Sequence, residues 1–313
     1  MHVIVHGGAG SDPDEPEPRQ AVLDEAAETG AEASSVLDAV ESAVRVLESS
    51  PRFNAGVGGA VQSDGEIRTD AGVMTSDREA GAVSSMRGVE HAVSAARVVL
   101  EETPHVFVSG DHAVELAADY GVETGVDLWS EDTREKWNDL DSVPEGSPSE
   151  HLDWLREKFG GSPDSAEGDG DSADADSAES NPKDHDTVGA VAYDPETDEF
   201  AAATSTGGRW LALAGRVGDV PQIGSGFFAA PAGAASATGA GEDIAKATLT
   251  RRAVRHLESG HTAQQAADRA IEEFAELTGS SAGVIVLDGD GTAGSAFNSD
   301  AMQTAVARSF ADE

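Results

Sequence analysis

The sequence predicts an α+β fold, with helices covering antiparallel sheets, and three observations carry that expectation. Residues 187–193 and 199–206 are two apolar runs flanking Asp194-Pro195, and 284–287 and 293–297 flank Asp288-Gly-Asp-Gly291, so each pair reads as a β-hairpin. Apolar residues recur at helical spacing over 20–48, 241–258 and 262–277. No βαβ rhythm links these elements, which favours layers of antiparallel sheet and helix over a parallel sheet.

In chain order, 3–5 reads as a short buried strand, followed by the glycine turn His6-Gly-Gly-Ala-Gly10 and an acidic, Pro-rich loop over 11–18. Val36, Leu37, Val40, Val44 and Leu47 mark a helix face, with Ser34 or Ser35 as its cap. Residues 53–59 form a glycine-rich loop, short strands fall at 60–62, 66–68, 71–75 and 80–84, and helices at 90–102, 111–120 and 149–158. Residues 160–186 have almost no apolar side chain larger than Ala, so they cannot offset the entropy of ordering and are expected to be disordered. Trp129, Trp137, Trp154 and Trp210 read as core or interface residues.

Composition narrows the function. The 313 residues suit one large domain or two ordinary ones, and the formal charge is −39. Nine of the 59 acids lie in 160–186; the remainder of the chain still sets 50 acids against 19 bases, so the acidity belongs to the folded parts. Such a surface disfavours nucleic acid and anionic membranes, which both require clustered Lys and Arg. The bases are 16 Arg and only 4 Lys. Self-repulsion of this size is screened within about 3 Å at ~1 M salt, so the expectation is a salt-adapted, halophilic cytoplasmic protein. The absence of cysteine excludes disulfides, thiolate metal sites and a Cys nucleophile. The first residues lack a basic start with a long apolar run, and no stretch approaches 18 apolar residues, so neither a signal peptide nor a membrane span is expected.

The chemistry centres on Asp186-Thr187, where the acidic tract meets an apolar strand. A cut there would create an N-terminal Thr, whose hydroxyl attacks while its own α-amine takes the proton. The alternative is a Thr that simply begins a strand. Gly215-Arg-Val-Gly-Asp219 holds an Arg and an Asp three residues apart, suited to the carboxylate and ammonium of an amino acid, or else to a surface ion pair. Thr238-Gly-Ala-Gly-Glu242 leads into a helix, whose backbone N–H groups suit an oxyanion. His6 reads as a structural histidine beneath the glycine turn, and Asp288-Gly-Asp-Gly as a turn, because Ser299 stands where a calcium loop needs Glu. No His-Glu-x-x-His helix occurs, which argues against zinc.

Taken in order, His6-Gly-Gly-Ala-Gly10, Asn54-Ala-Gly-Val-Gly58, Asp186-Thr-Val-Gly-Ala-Val191, Thr204-Ser-Thr-Gly-Gly208, Gly215-Arg-Val-Gly-Asp219 and Thr238-Gly-Ala-Gly-Glu242 resemble the plant-type asparaginase and isoaspartyl peptidase family. These are N-terminal-nucleophile hydrolases related to the glycosylasparaginases. The resemblance implies a four-layer αββα sandwich, a single domain over 1–313 that cleaves itself into an α subunit, 1–186, and a β subunit, 187–313. It implies Thr187 as nucleophile, Thr206 as its hydrogen-bond partner, Thr238 and Gly239 as the oxyanion hole, and Arg216, Asp219 and Asn54 as substrate-binding residues. It implies that no cofactor is required beyond a structural sodium ion on the backbone of Leu47, Glu48, Ser50, Phe53, Ala55 and Val57. The substrate would be asparagine or a β-aspartyl dipeptide, and the assembly a dimer of cleaved heterodimers. His185-Asp186 before the nucleophile, Ala240 in the oxyanion motif and the apolar stretch 209–214 depart from the asparaginase pattern. They keep a glycosylasparaginase-like specificity open, with a non-enzymatic acidic scaffold as the rival of another class.

Overall fold

A computed structural model describes residues 1–159 and 187–309. The strands are β1 (His2–Gly10), β2 (Arg68–Thr75), β3 (Ala80–Arg87), β4 (Phe107–Ser109), β5 (Val188–Asp194), β6 (Glu199–Thr206), β7 (Phe227–Ala230), β8 (Gly233–Gly239), β9 (Ala282–Asp288), β10 (Ala293–Phe297) and β11 (Ala301–Arg308). They make a seven-stranded sheet, ordered β11-β1-β5-β6-β2-β3-β4, and a four-stranded sheet, ordered β10-β9-β8-β7. Every pairing is antiparallel except β3 with β4.

Period-two alternation divides the core. In β1, Val3 and Val5 face α1 (Pro16–Ala31), α2 (Val36–Glu48) and α3 (Ala92–Glu102) through a cluster with Leu23, Val40, Leu47 and Val93, while Ile4 points the other way. Ile4, Val191 and Phe200 of the large sheet join Phe227, Ile285 and Leu287 of the small one in a second cluster. Val284 and Val286, out of phase with Ile285, pack with Val254, Ile271 and Phe274 of α8 (Leu249–Glu258) and α9 (Ala263–Thr278). Strands buried on both faces read as continuous small and apolar runs, which is why Val188-Gly-Ala-Val-Ala lacks alternation in sequence.

Gly72 sets the approach of the two sheets, because a Cβ there would overlap the buried Phe227 ring. Gly72→Ala is expected to cost about 2–3 kcal/mol by overpacking, read as a lower denaturation midpoint at unchanged slope.

The remaining helices are α4 (Asp111–Asp119), α5 (Glu131–Asn138), α6 (Pro148–Phe159) and α7 (Gly241–Ala247). The helical periodicity over 20–48 resolves into α1 and α2, with Ser35 capping α2 by accepting from Asp38 N at 3.1 Å. The stretch 241–258 likewise divides, at Thr248, whose φ of 53° is left-handed. Residues 60–62 and 66–68 come together as one bridge, Val61 with Ile67, and Arg68 already belongs to β2, where it pairs with Arg87 of β3. Sequence reasoning missed β4, β7, β8, β11 and α5; β7 and β8 are built of Phe, Ala, Gly and Ser, and only burial between packed layers makes that composition a strand. The Asp288 carboxylate accepts from Asp290 N at 3.1 Å and Thr292 N at 2.9 Å, closing the β9–β10 turn. Trp129, Trp137 and Trp210 pack partly buried on Val61, Ile67 and Leu128. The tract 160–186, including Asp186, lies outside the described residues. Among the described residues no helix is long and apolar enough to cross a membrane.

Candidate active site

Thr187 immediately precedes β5, one of the interior strands of the large sheet, and is buried. The β5–β6 register sets Val188 opposite Ser205, so Thr187 meets Thr206: its Oγ1 donates to Thr206 Oγ1 at 3.3 Å. Gly208 N donates to the same Thr206 oxygen at 3.1 Å, leaving that hydroxyl well supplied with donors. Asn54 fixes the turn behind it. Its Nδ2 donates to Gly208 O at 2.6 Å, its Oδ1 accepts from Ala60 N at 2.8 Å, and its carbonyl accepts from Gly207 N at 2.8 Å. Gly207 admits this contact, since a Cβ there would stand 2.7 Å from Asn54 Oδ1.

His6 lies opposite Gly189 in the β1–β5 register. Its Nε2 is 2.9 Å from Ser236 Oγ, which is 2.6 Å from Thr204 Oγ1, which donates to Gly226 O at 2.9 Å. Full burial drives the His6 pKa down to about 3, against the opposing pull of the Thr187 backbone. The imidazole is therefore neutral, a polar strut between the sheets. The β1–β5 pairing ends at His6, whose ring meets the Thr187 backbone; β1 is irregular between His6 and Ala9, and Ala9 N donates to Thr238 Oγ1 at 3.3 Å. The first glycine motif thus runs from the nucleophile candidate to the oxyanion candidate. Gly239 has φ of 134°, and a Cβ there would stand 2.6 Å from Ser281 O, so only glycine fits.

Arg216 and Asp219 come together with two residues that sequence reasoning left unassigned. Arg216 Nε and Nη2 donate to Glu242 Oε1 and Oε2, each at 2.7 Å, a two-pronged ion pair that lowers the Glu242 pKa to about 2. Asp219 is buried with Oδ2 unpartnered, and burial raises its pKa to about 7 against the pull of Arg216. Asp70, paired with Thr206 across β2 and β6, accepts from Ser85 N at 2.7 Å; burial raises its pKa to about 7 as well. One guanidinium thus faces two buried carboxyls of elevated pKa. This is a charge set suited to a ligand carrying both a carboxylate and an ammonium. No short motif marks Asp70, whose place beside Thr206 depends on strands far apart in the sequence.

In the loop after α2, Gly56 has φ of 56° and turns the chain back, so that Val57 N donates to Glu48 O at 2.9 Å. A Cβ on Gly56 would stand 2.8 Å from Glu90 O and also strike Glu48 O, so carbonyl oxygens converge on this point. The Glu48 side chain is wholly buried. Its Oε1 accepts from Ser205 Oγ at 2.6 Å and Val93 N at 3.0 Å, and burial raises its pKa although His91 lies at 3.5 Å. Among the described residues no group of three or more His, Cys, Asp and Glu is placed to hold a metal ion.

Comparison with known proteins shows what the chain as a whole is similar to. The asparaginase family model matches residues 1–313. A plant-type L-asparaginase of Pyrococcus abyssi is 37% identical over 312 residues, covering 97% of this chain and 95% of that protein. An isoaspartyl peptidase/L-asparaginase of Danio rerio is 36% identical over 313 residues, covering 98% and 92%. One from Rattus norvegicus is 37% identical over 298 residues, covering 92% and 80%. The chain belongs to the asparaginase family.

Proposed function

We propose that the protein is a self-processing threonine amidohydrolase that converts L-asparagine to L-aspartate and ammonia and cleaves β-aspartyl dipeptides. The observation that carries this reading is Thr187 Oγ1 held 3.3 Å from Thr206 Oγ1 at the start of an interior strand, in a chain of the asparaginase family. The two sheets and their helix coverings then correspond to the four-layer αββα sandwich of N-terminal-nucleophile hydrolases, folded as a single domain over 1–313 and divided at 186/187.

In the first reaction Thr187 Oγ attacks the Asp186 carbonyl carbon, the acyl group passes from nitrogen to oxygen, and water hydrolyses the ester. Asp186 becomes a carboxylate and Thr187 a free amine. In the second reaction that amine takes the hydroxyl proton while Oγ attacks the substrate's side-chain carbonyl. Thr238 Oγ1 and the Gly239 N–H carry the resulting oxyanion. Ammonia or an amino acid departs with the proton, and water releases aspartate from the ester. Arg216 holds the α-carboxylate, Asp219 the α-ammonium, and Asn54 keeps the Gly207–Gly208 turn against Thr206. The carbonyls of Leu47, Glu48, Ser50, Phe53, Ala55 and Val57 would hold a sodium ion, hard oxygen donors for a hard cation, whose part is to brace this loop. A dimer of cleaved heterodimers in a salt-adapted cytoplasm completes the reading.

Parallel assays on asparagine, a β-aspartyl dipeptide and a glycosylated asparagine test it; preference for the glycosylated compound would transfer the protein to the glycosylasparaginase side. An ionised Asp219 is needed to bind the ammonium, and its pKa is raised to about 7. Protonation below that value removes the anion, so KM for asparagine is expected to climb as pH falls, approaching tenfold per unit at about two units below the midpoint. A kcat/KM profile flat between pH ~5 and ~8 would contradict this role.

A further inference from the structure

We propose that Glu242 is a positioning residue that holds Arg216 in register for the substrate's α-carboxylate; the inference rests on the asparaginase reading above. The backbone of Arg216 is already anchored: its N–H donates to Leu213 O at 2.8 Å, and its carbonyl accepts from Gln62 Nε2 at 3.2 Å. What remains to be fixed is the long, flexible side chain, which loses considerable rotamer entropy when ordered.

Two glycines clear a slot for the guanidinium. A Cβ on Gly218 would stand 3.0 Å from Nη1 and 3.1 Å from Nη2. A Cβ on Gly241 would stand 2.8 Å from Nη2 and 2.7 Å from Asp219 Oδ1. What is left is to hold the guanidinium in one orientation within that slot. Glu242 does so by engaging Nε and one side of Nη2, both at 2.7 Å. A guanidinium has five N–H donors in a planar fork. Two are committed to Glu242, and the end-on edge made by Nη1 and the second Nη2 hydrogen is left for another carboxylate.

Nη2 and Asp219 Oδ1 both adjoin Gly241, so this edge lies next to the carboxyl suited to the ammonium. The pairing presents carboxylate and ammonium sites side by side before substrate arrives. Glu242 is also the more exposed partner, with 51% of its side chain accessible against 18% for Arg216, so it braces the arginine from the solvent side. Because the end-on edge stays open, substrate binds without displacing Glu242, which makes Glu242 a support and not a competitor.

The test compares two amides in the processed enzyme: asparagine, and β-alaninamide, which is asparagine without its α-carboxylate. Glu242→Ala is expected to raise KM for asparagine about ten- to a hundredfold with kcat within about threefold, as loss of preorganised binding demands. For β-alaninamide, kcat/KM should stay within about threefold of wild type. Glu242→Gln keeps one acceptor, so its KM should rise only about three- to tenfold, and it carries the test if the alanine variant does not fold or self-cleave. Equal losses on both substrates, an unchanged KM, or a KM that falls because a competitor was removed would each overturn the proposal. Wild-type protein inactive on asparagine would overturn the asparaginase reading itself, and is seen before any variant is made.

Discussion

Thr187→Ala is expected to leave one uncut 313-residue chain with hydrolysis reduced at least about a thousandfold. The size follows from the chemistry proposed for this residue. Thr187 supplies the nucleophilic oxygen of both reactions and, once cleaved, the base of the second, so one substitution removes two functions together. The fold should survive, because Thr187 lies outside the β5 ladder and, among the described residues, its side chain makes one long hydrogen bond, to Thr206. Circular dichroism and the denaturation midpoint should therefore match wild type while gel and activity do not. Thr187→Ser keeps the hydroxyl and should still self-cleave. A processed, active Thr187→Ala protein would refute the assignment.

Thr238→Ala is expected to lower kcat by about 10²–10³ with a smaller change in KM, the pattern of a donor whose bond tightens only as charge develops on the substrate oxygen. The Thr238 hydroxyl also accepts from Ala9 N. That bond ties the oxyanion candidate to the glycine turn of β1, so self-cleavage should slow in the same variant. Stopped-flow or steady-state kinetics with asparagine reads the effect. A variant whose KM alone rises would place Thr238 in ground-state binding instead.

Much of the candidate site is legible in sequence because its residues sit in short motifs whose spacing has a physical meaning. Thr187 opens an apolar strand, Thr206 ends the hairpin partner of that strand, and Arg216 and Asp219 share one glycine-bounded turn. The less legible residues depend on long-range pairing. Asp70 reaches Thr206 only through the β2–β6 register, and Glu48 reaches Ser205 across the face of the large sheet. Glu242 stood within a recognised motif, yet its partner Arg216 lies 26 residues away in the chain and nothing local pairs them. The fold divides in the same way. Amphipathic helices such as α2 and α9 carry their own periodicity and caps. The β7–β8 hairpin and β11 acquire strand character from burial and from β1, at the opposite end of the chain.

The most direct test of the account is the intact mass of purified, catalytically active protein, measured under denaturing conditions. The account predicts two species, residues 1–186 and 187–313, the second beginning with an unmodified Thr187. Active material made only of the full 313-residue chain, with residue 187 still joined to Asp186, would contradict it.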